Sequence, residues 1–227
     1  MPSLRLRLGH LIGGCTLAMA SMSALADFAG DVTVKLLAPG GTAGGGSTPI
    51  ELSQTVAFAD LTTGVQAANL GGTGDISNFM VDNERIFFTG TMILMRVGVG
   101  DQTGGVLTTG YLGSGSEHAR YQFDGIAFAG RTITNVLVYA YDAFATSGPA
   151  SASGLLSPSD PAVLVHRIDA DSYSFDLDTL QIKQRFAGGS DNYAEFRVDF
   201  ITAAVPEPAA ALLLAGGLLV VLRRRRD

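Results

Sequence analysis

Four carboxylates fall within ten residues of this sequence, in Asp169-Ala170-Asp171 and Asp176-Leu177-Asp178. Carboxylate oxygens at alternate positions converge readily on a hard cation, so Asp169, Asp171, Asp176 and Asp178 form a candidate calcium site, although the glycine and terminal Glu of an EF-hand loop are missing. The competing reading is a solvated acidic face: Tyr173, Phe175 and Leu177 alternate with Ser174, Asp176 and Asp178, which sets the carboxylates on the polar side of a strand. Tyr139 and Tyr141 share one face of a strand opposite Val138 and Ala140 and form a candidate platform for sugar rings, with core packing as the alternative. The chain has no Trp, the commonest ring in such platforms. Between residues 27 and 204 the histidines are His118 and His166 and there is no cysteine, which excludes a Cys nucleophile and argues against a His-rich zinc site. Each histidine stands beside a charged residue, Glu117 or Arg167, and reads as a solvated surface group. No Gly-x-Ser-x-Gly elbow occurs in this stretch, and Gly98-Val99-Gly100 with Gly104-Gly105 lacks the lysine of a phosphate loop. No catalytic residue is assigned, and no cofactor beyond the calcium candidate.

The elements that must carry these residues are strands. Residues 27–204 hold 24 of the 29 glycines and all 18 Phe and Tyr of the chain, and the glycine clusters punctuate short alternating runs. Tyr193 to Ile201 alternates most cleanly, with Ala194, Phe196, Val198 and Phe200 against Glu195, Arg197 and Asp199. Further strands are expected over Val32–Leu37, Ile50–Phe58, Ile76–Val81, Arg85–Val99, Ala119–Phe128, Thr132–Phe144, Val163–Ile168, Ser172–Asp178 and Thr179–Phe186, with Ser147–Pro161 as a long loop. No apolar stripe of helical period longer than two turns interrupts them, and no fixed repeat marks a propeller or solenoid. The expectation is an all-β fold: a single β-sandwich, jelly-roll-like, in one domain.

Charge divides the chain of 227 residues and net charge −6 into three pieces. Residues 27–204 carry 9 Lys and Arg against 19 Asp and Glu, whereas both ends are basic. So acidic a middle makes nucleic acid an unsuitable partner, because phosphate neutralisation requires cations. At the start, Arg5 and Arg7 precede an apolar run from Leu11 to about Ala20 and the small-residue sequence Ala24-Leu25-Ala26, the order of a secretory signal peptide spanning 1–26 with cleavage after Ala26. Its removal would take away Cys15, leaving a body with no disulfide. At the other end, Pro206-Glu207-Pro208 is followed by the uncharged segment Ala209 to Leu222 and by Arg223, Arg224, Arg225 and Arg226. As a helix, that segment reaches roughly 21 Å, short of the roughly 30 Å hydrocarbon core.

This C-terminal order resembles a PEP-CTERM sorting signal over residues 205–227. The resemblance implies a transmembrane sorting helix and recognition of Pro206, Glu207 and Pro208 by an exosortase, an integral-membrane cysteine peptidase of Gram-negative bacteria that make extracellular polysaccharide. It implies the arginine cluster as membrane stop, signal peptidase and exosortase as partners, and transient residence in the inner membrane before release to the cell surface or an exopolysaccharide matrix or biofilm. On that footing residues 27–204 are expected to be a structural or adhesive exported protein and no enzyme, with matrix polysaccharide as a further partner. The alternatives are a glycan-binding module and a secreted hydrolase.

Overall fold

A computed structural model of the chain describes residues 27–67, 76–81, 84–102, 105–141, 154–188 and 191–205. Among these residues the chain forms, in order, β1 (Val32–Ala38), β2 (Gly41–Thr42), β3 (Ile50–Val56), β4 (Val65–Gln66), β5 (Arg85–Thr89), β6 (Met92–Gly98), β7 (Tyr111–Leu112), β8 (Arg120–Asp124), β9 (Arg131–Tyr141), β10 (Leu155–Ser157), β11 (Val165–Arg167), β12 (Ser172–Asp176), β13 (Gln181–Ile182) and β14 (Tyr193–Ala204). The helical elements described are single 3-10 turns such as Ile76–Asn78 and Pro161–Leu164.

Two antiparallel five-stranded sheets carry the fold. The first has the order β11-β12-β8-β1-β3 and the second β4-β5-β6-β14-β9, with small ribbons β2-β7 and β10-β13 at the side. Both sheets are open, so β11, β3, β4 and β9 are edge strands. Alternation decides which side chains meet between them. In β1, Val32, Val34, Leu36 and Ala38 are buried while Thr33, Lys35 and Leu37 face outward, and in β14 Ala194, Phe196, Val198 and Phe200 point into the same core. The sheets stack through aromatic pairs: Phe88 against Phe123 at 6.2 Å, Phe175 against Phe196 at 4.8 Å, and Tyr173 against Phe200 at 5.0 Å between ring centroids.

The fold departs from several sequence expectations. The fold class expected from the sequence, a jelly-roll-like sandwich followed by a transmembrane sorting helix, gives way to two open antiparallel sheets that combine local hairpins, β5-β6 and β11-β12, with long-range pairings, β1-β8, β8-β12, β6-β14 and β9-β14. A jelly roll passes successive strands between sheets, but β4, β5 and β6 are neighbours within one sheet, as are β11 and β12. The cause is local at Gly90: Thr89 pairs with Met92, leaving a two-residue turn whose Gly90 has φ +56°, and so short a turn cannot cross the roughly 10 Å between stacked sheets. It also splits the expected Arg85–Val99 strand into a hairpin. No helix among the described residues is long and apolar enough to cross a membrane, and Ala209–Leu222, where such a helix was expected, lies outside the described residues. Ile76–Val81 begins with a 3-10 turn instead of a strand, and Val163–Ile168 yields a 3-10 turn followed by only three residues of strand.

The pairing of β14 with β9 is irregular at one point. Asn135 pairs with Ile201 but Ile133 pairs with Thr202, so Thr134 is an extra residue on β9, and its hydroxyl donates to the Ile201 carbonyl at 3.0 Å. A bulge of this kind resets the alternation, and Thr134 and Asn135 are consecutively exposed while Ile133 and Val136 are both half-buried.

Candidate functional site

The outward face of the first sheet concentrates polar side chains. Register places Lys35 beside Gln122, Gln122 beside Ser174, Ser174 beside His166, and Arg120 beside Asp176. Because strands alternate, these residues share one surface while Phe123, Phe175 and Tyr121 go to the core. At the β8, β12 and β11 end lies an open groove of about 400 Å³ lined by Ser116, Glu117, His118, Arg120, Gln122, His166, Ile168, Ser174 and Asp176.

Two imidazole–carboxylate pairs frame the groove. His166 Nε2 lies 2.9 Å from Asp176 Oδ2, and His118 Nδ1 lies 3.1 Å from Asp178 Oδ1. The rings are accessible and the carboxylates are not: side-chain exposure is 54% for His166 against 6% for Asp176, and 51% for His118 against 18% for Asp178. A sequestered carboxylate requires a hydrogen-bond partner, and each histidine supplies it while keeping a ring face toward solvent. Arg120 Nη1 donates to the His118 carbonyl at 3.2 Å, tying the guanidinium to the backbone that carries the imidazole. Along the same face Lys35 Nζ stands 2.7 Å from Asp124 Oδ2, and Gln122 Nε2 donates to Asp124 Oδ1 at 2.9 Å. Partial burial alone would raise the Asp124 carboxyl; hydrogen bonds from Lys35, Gln122 and Ser172 outweigh it and hold the group below the usual carboxylate range. The imidazole contacts among the described residues are these carboxylates, and the arrangement offers fixed donors, acceptors and rings.

The four aspartates singled out in the sequence do not converge. Asp169 and Asp171 sit in the turn between β11 and β12, where the Asp171 N–H donates to Asp169 Oδ1 at 3.1 Å. That bond holds the Asp169 carboxyl down, while sharing with Asp169 pushes Asp171 up. Asp176 ends β12 and Asp178 lies beyond it, so the strand separates the two pairs by roughly 16 Å or more at about 3.3 Å per residue. Among the described residues no group of three or more His, Cys, Asp or Glu side chains is placed to hold a metal ion. Nor is β12 a half-solvated strand: Ser172, Ser174 and Asp176 are buried too, shielded by the longer side chains beside them in register, Asp124, Gln122 and Arg120 on β8 and His166 on β11.

Tyr139 lies on the outward face of the other sheet. Its register partner is Arg197, whose guanidinium carbon stands 5.0 Å from the ring centroid, and Tyr141 pairs with Glu195. The same face holds Arg96 bonded to Glu195 and stacked 4.1 Å over the Tyr193 ring. Guanidinium groups therefore already occupy ring faces there. What sequence reasoning missed were the two histidine–aspartate pairs. Their partners are 60 and 10 residues apart, and the one available signal was the Asp176, Asp178 spacing on a strand face.

Ala24 and Ala26, Pro206, Glu207 and Pro208, and Arg223 to Arg226 lie outside the described residues. Compared with family models, curated proteins and solved structures, the chain finds no match. The expected membership among PEP-CTERM sorted proteins is corrected on that finding. With it go the exosortase and signal peptidase as partners, the inner-membrane stage with later release to surface or matrix, and the structural or adhesive role that rested on sorting. The described residues contain no membrane-crossing helix that would restore them.

Proposed function

We propose that the described β-structure is a carbohydrate-binding module whose contact surface is the groove on the outward face of the first sheet. The observation that carries this reading is the pairing of two exposed imidazoles with sequestered carboxylates beside Arg120 and Gln122 in an open groove of about 400 Å³. A sugar presents adjacent hydroxyls, each both donor and acceptor. Planar side chains with two or more polar atoms, such as Arg120 and Gln122, engage neighbouring hydroxyls together. An imidazole face adds a flat surface for the C–H side of a pyranose. An open groove on a sheet suits a chain molecule laid across it, whereas small ligands are usually enclosed. Asp176 and Asp178 hold the imidazoles, the His118 carbonyl holds Arg120 and Asp124 holds Gln122 before any ligand arrives, which lowers the ordering cost of binding.

The test is a screen of the full chain against immobilised oligosaccharides of neutral, acidic and amino-sugar classes, followed by calorimetry on any hit. Arg120→Ala and Gln122→Ala should each weaken binding about fivefold, the worth of one ordinary hydrogen bond. Tyr139→Ala should leave it unchanged. Failure of the folded wild-type chain to bind any class, or equal loss with Tyr139→Ala, would refute the assignment.

A further inference from the structure

A second cavity opens between the two stacked sheets, at their edge strands β9 and β11. It has a volume of about 250 Å³ and is walled by Ile133, Asn135 and Val136 from β9, Val165 and Arg167 from β11, and Tyr173 from β12, with the bulged Thr134 at its rim. The bulge is what turns both Ile133 and Val136 toward this opening, since a regular strand would set them on opposite faces. Arg167 pairs with Tyr173 in register, and because β11 is an edge its inward-facing side chain stands at the mouth. Tyr173 is 1% exposed, and its hydroxyl is buried without a hydrogen-bond partner. A buried hydroxyl left unpaired in a native fold costs free energy, which a ligand supplying the partner would recover. Arg167 donates from Nε to the Asp169 carbonyl at 2.7 Å and from Nη2 to the Ala170 carbonyl, which fixes the guanidinium and leaves further N–H groups for a ligand.

We propose that this cleft binds a small organic carboxylate, its oxygens taken by the Tyr173 hydroxyl and the Arg167 guanidinium and its apolar part lying against Ile133, Val136 and Val165. The volume falls below the roughly 300–1,000 Å³ of pockets that take drug-sized molecules, which points to a short acid. The site lies on a different edge from the polar groove and stands independently of the carbohydrate reading.

Calorimetry with the full chain decides it, using hexanoate, benzoate and, as a neutral probe with the same tail, hexan-1-ol. Hexanoate should bind about tenfold or more tightly than hexan-1-ol, the difference made by charge-assisted hydrogen bonds. Tyr173→Phe keeps the ring and its packing and should weaken hexanoate binding about tenfold, Arg167→Gln at least as much, and Glu51→Gln, exposed on the distant edge strand β3, not at all. Far-UV circular dichroism of each variant confirms that it is folded, and the comparison of acid with alcohol on the wild type stands without any variant. Absence of saturation by either acid up to about 10 mM, equal affinity for hexanoate and hexan-1-ol, or undiminished binding by Tyr173→Phe would overturn the proposal.

Discussion

Glu84 is a buried acid whose ionisation sets the sign of a pH effect on stability. It is 3% exposed, and its two oxygens accept from backbone N–H groups of different segments, Oε1 from Gly98 at 3.0 Å and Oε2 from Val81 at 3.1 Å. Burial pushes its carboxyl up to about 7 from an ordinary 4.5, and the two N–H bonds offset only part of that. The charge is felt nearby: burial holds the Tyr111 and Tyr121 phenols well above their usual range, and proximity to Glu84 raises them further. A group raised on folding binds its proton more tightly in the native state. Its stabilising contribution is therefore complete below pH 4.5 and is lost as pH climbs through about 7. The interval corresponds to about 3 kcal/mol, a substantial part of the net stability of a typical domain. Glu84→Gln removes the titration but keeps the size; an amide accepts at one end only, so the variant should carry a pH-independent loss of about 1 kcal/mol. Urea unfolding of both proteins at about pH 5 and about pH 8.5 separates the two effects. The wild type should lose up to about 3 kcal/mol more than the variant on going to the higher pH. Superimposable pH dependences, or a wild type that gains stability relative to the variant as pH rises, would refute the reasoning.

Packing and backbone conformation supply further tests. Phe196→Ala empties a position 1% exposed that meets Phe175 at 4.8 Å, and should cost about 3–5 kcal/mol by urea titration. Gly90→Ala tests backbone conformation alone, since an added Cβ meets nothing within 4 Å yet φ is +56°. Its expected cost is about 1–2 kcal/mol, and a neutral result would show that the turn relaxes. Tyr173→Phe deletes a buried hydroxyl that has no partner, so without ligand its melting temperature should stay level or rise.

Where residues alternate over a long stretch, the fold was open to reading. Tyr193 to Ile201 shows its two faces directly, and β14 places Phe196, Val198 and Phe200 in the core as that pattern requires. Short runs carried less information. Ile76–Val81 is apolar enough for a strand but opens with a 3-10 turn, and Arg85–Val99 looked continuous because Gly90 was not weighed as a turn signal. Asp176 looked solvated because alternation reveals the face of a strand but not its neighbours; on that face the longer side chains of Arg120, its register partner on β8, and His166 on β11 shield the carboxylate. The histidine–aspartate pairs lay beyond local pattern for a related reason. His118 meets Asp178 only once β8 and β12 are neighbours, a consequence of sheet order that no window of sequence contains. The C-terminal resemblance shows the opposite hazard, a strong local pattern without support from any family match.

Carbohydrate binding is assigned to the outward face of the first sheet, and histidine offers a direct probe because the chain has only three, of which His118 and His166 flank the groove. Imidazole C–H resonances of the full chain can be followed by NMR during titration with an oligosaccharide selected in the screen. The His118 and His166 signals should shift together with saturation at a single affinity, and Arg120→Ala should weaken that affinity. Saturable glycan binding that leaves both imidazoles unmoved would place the contact elsewhere and contradict the assignment.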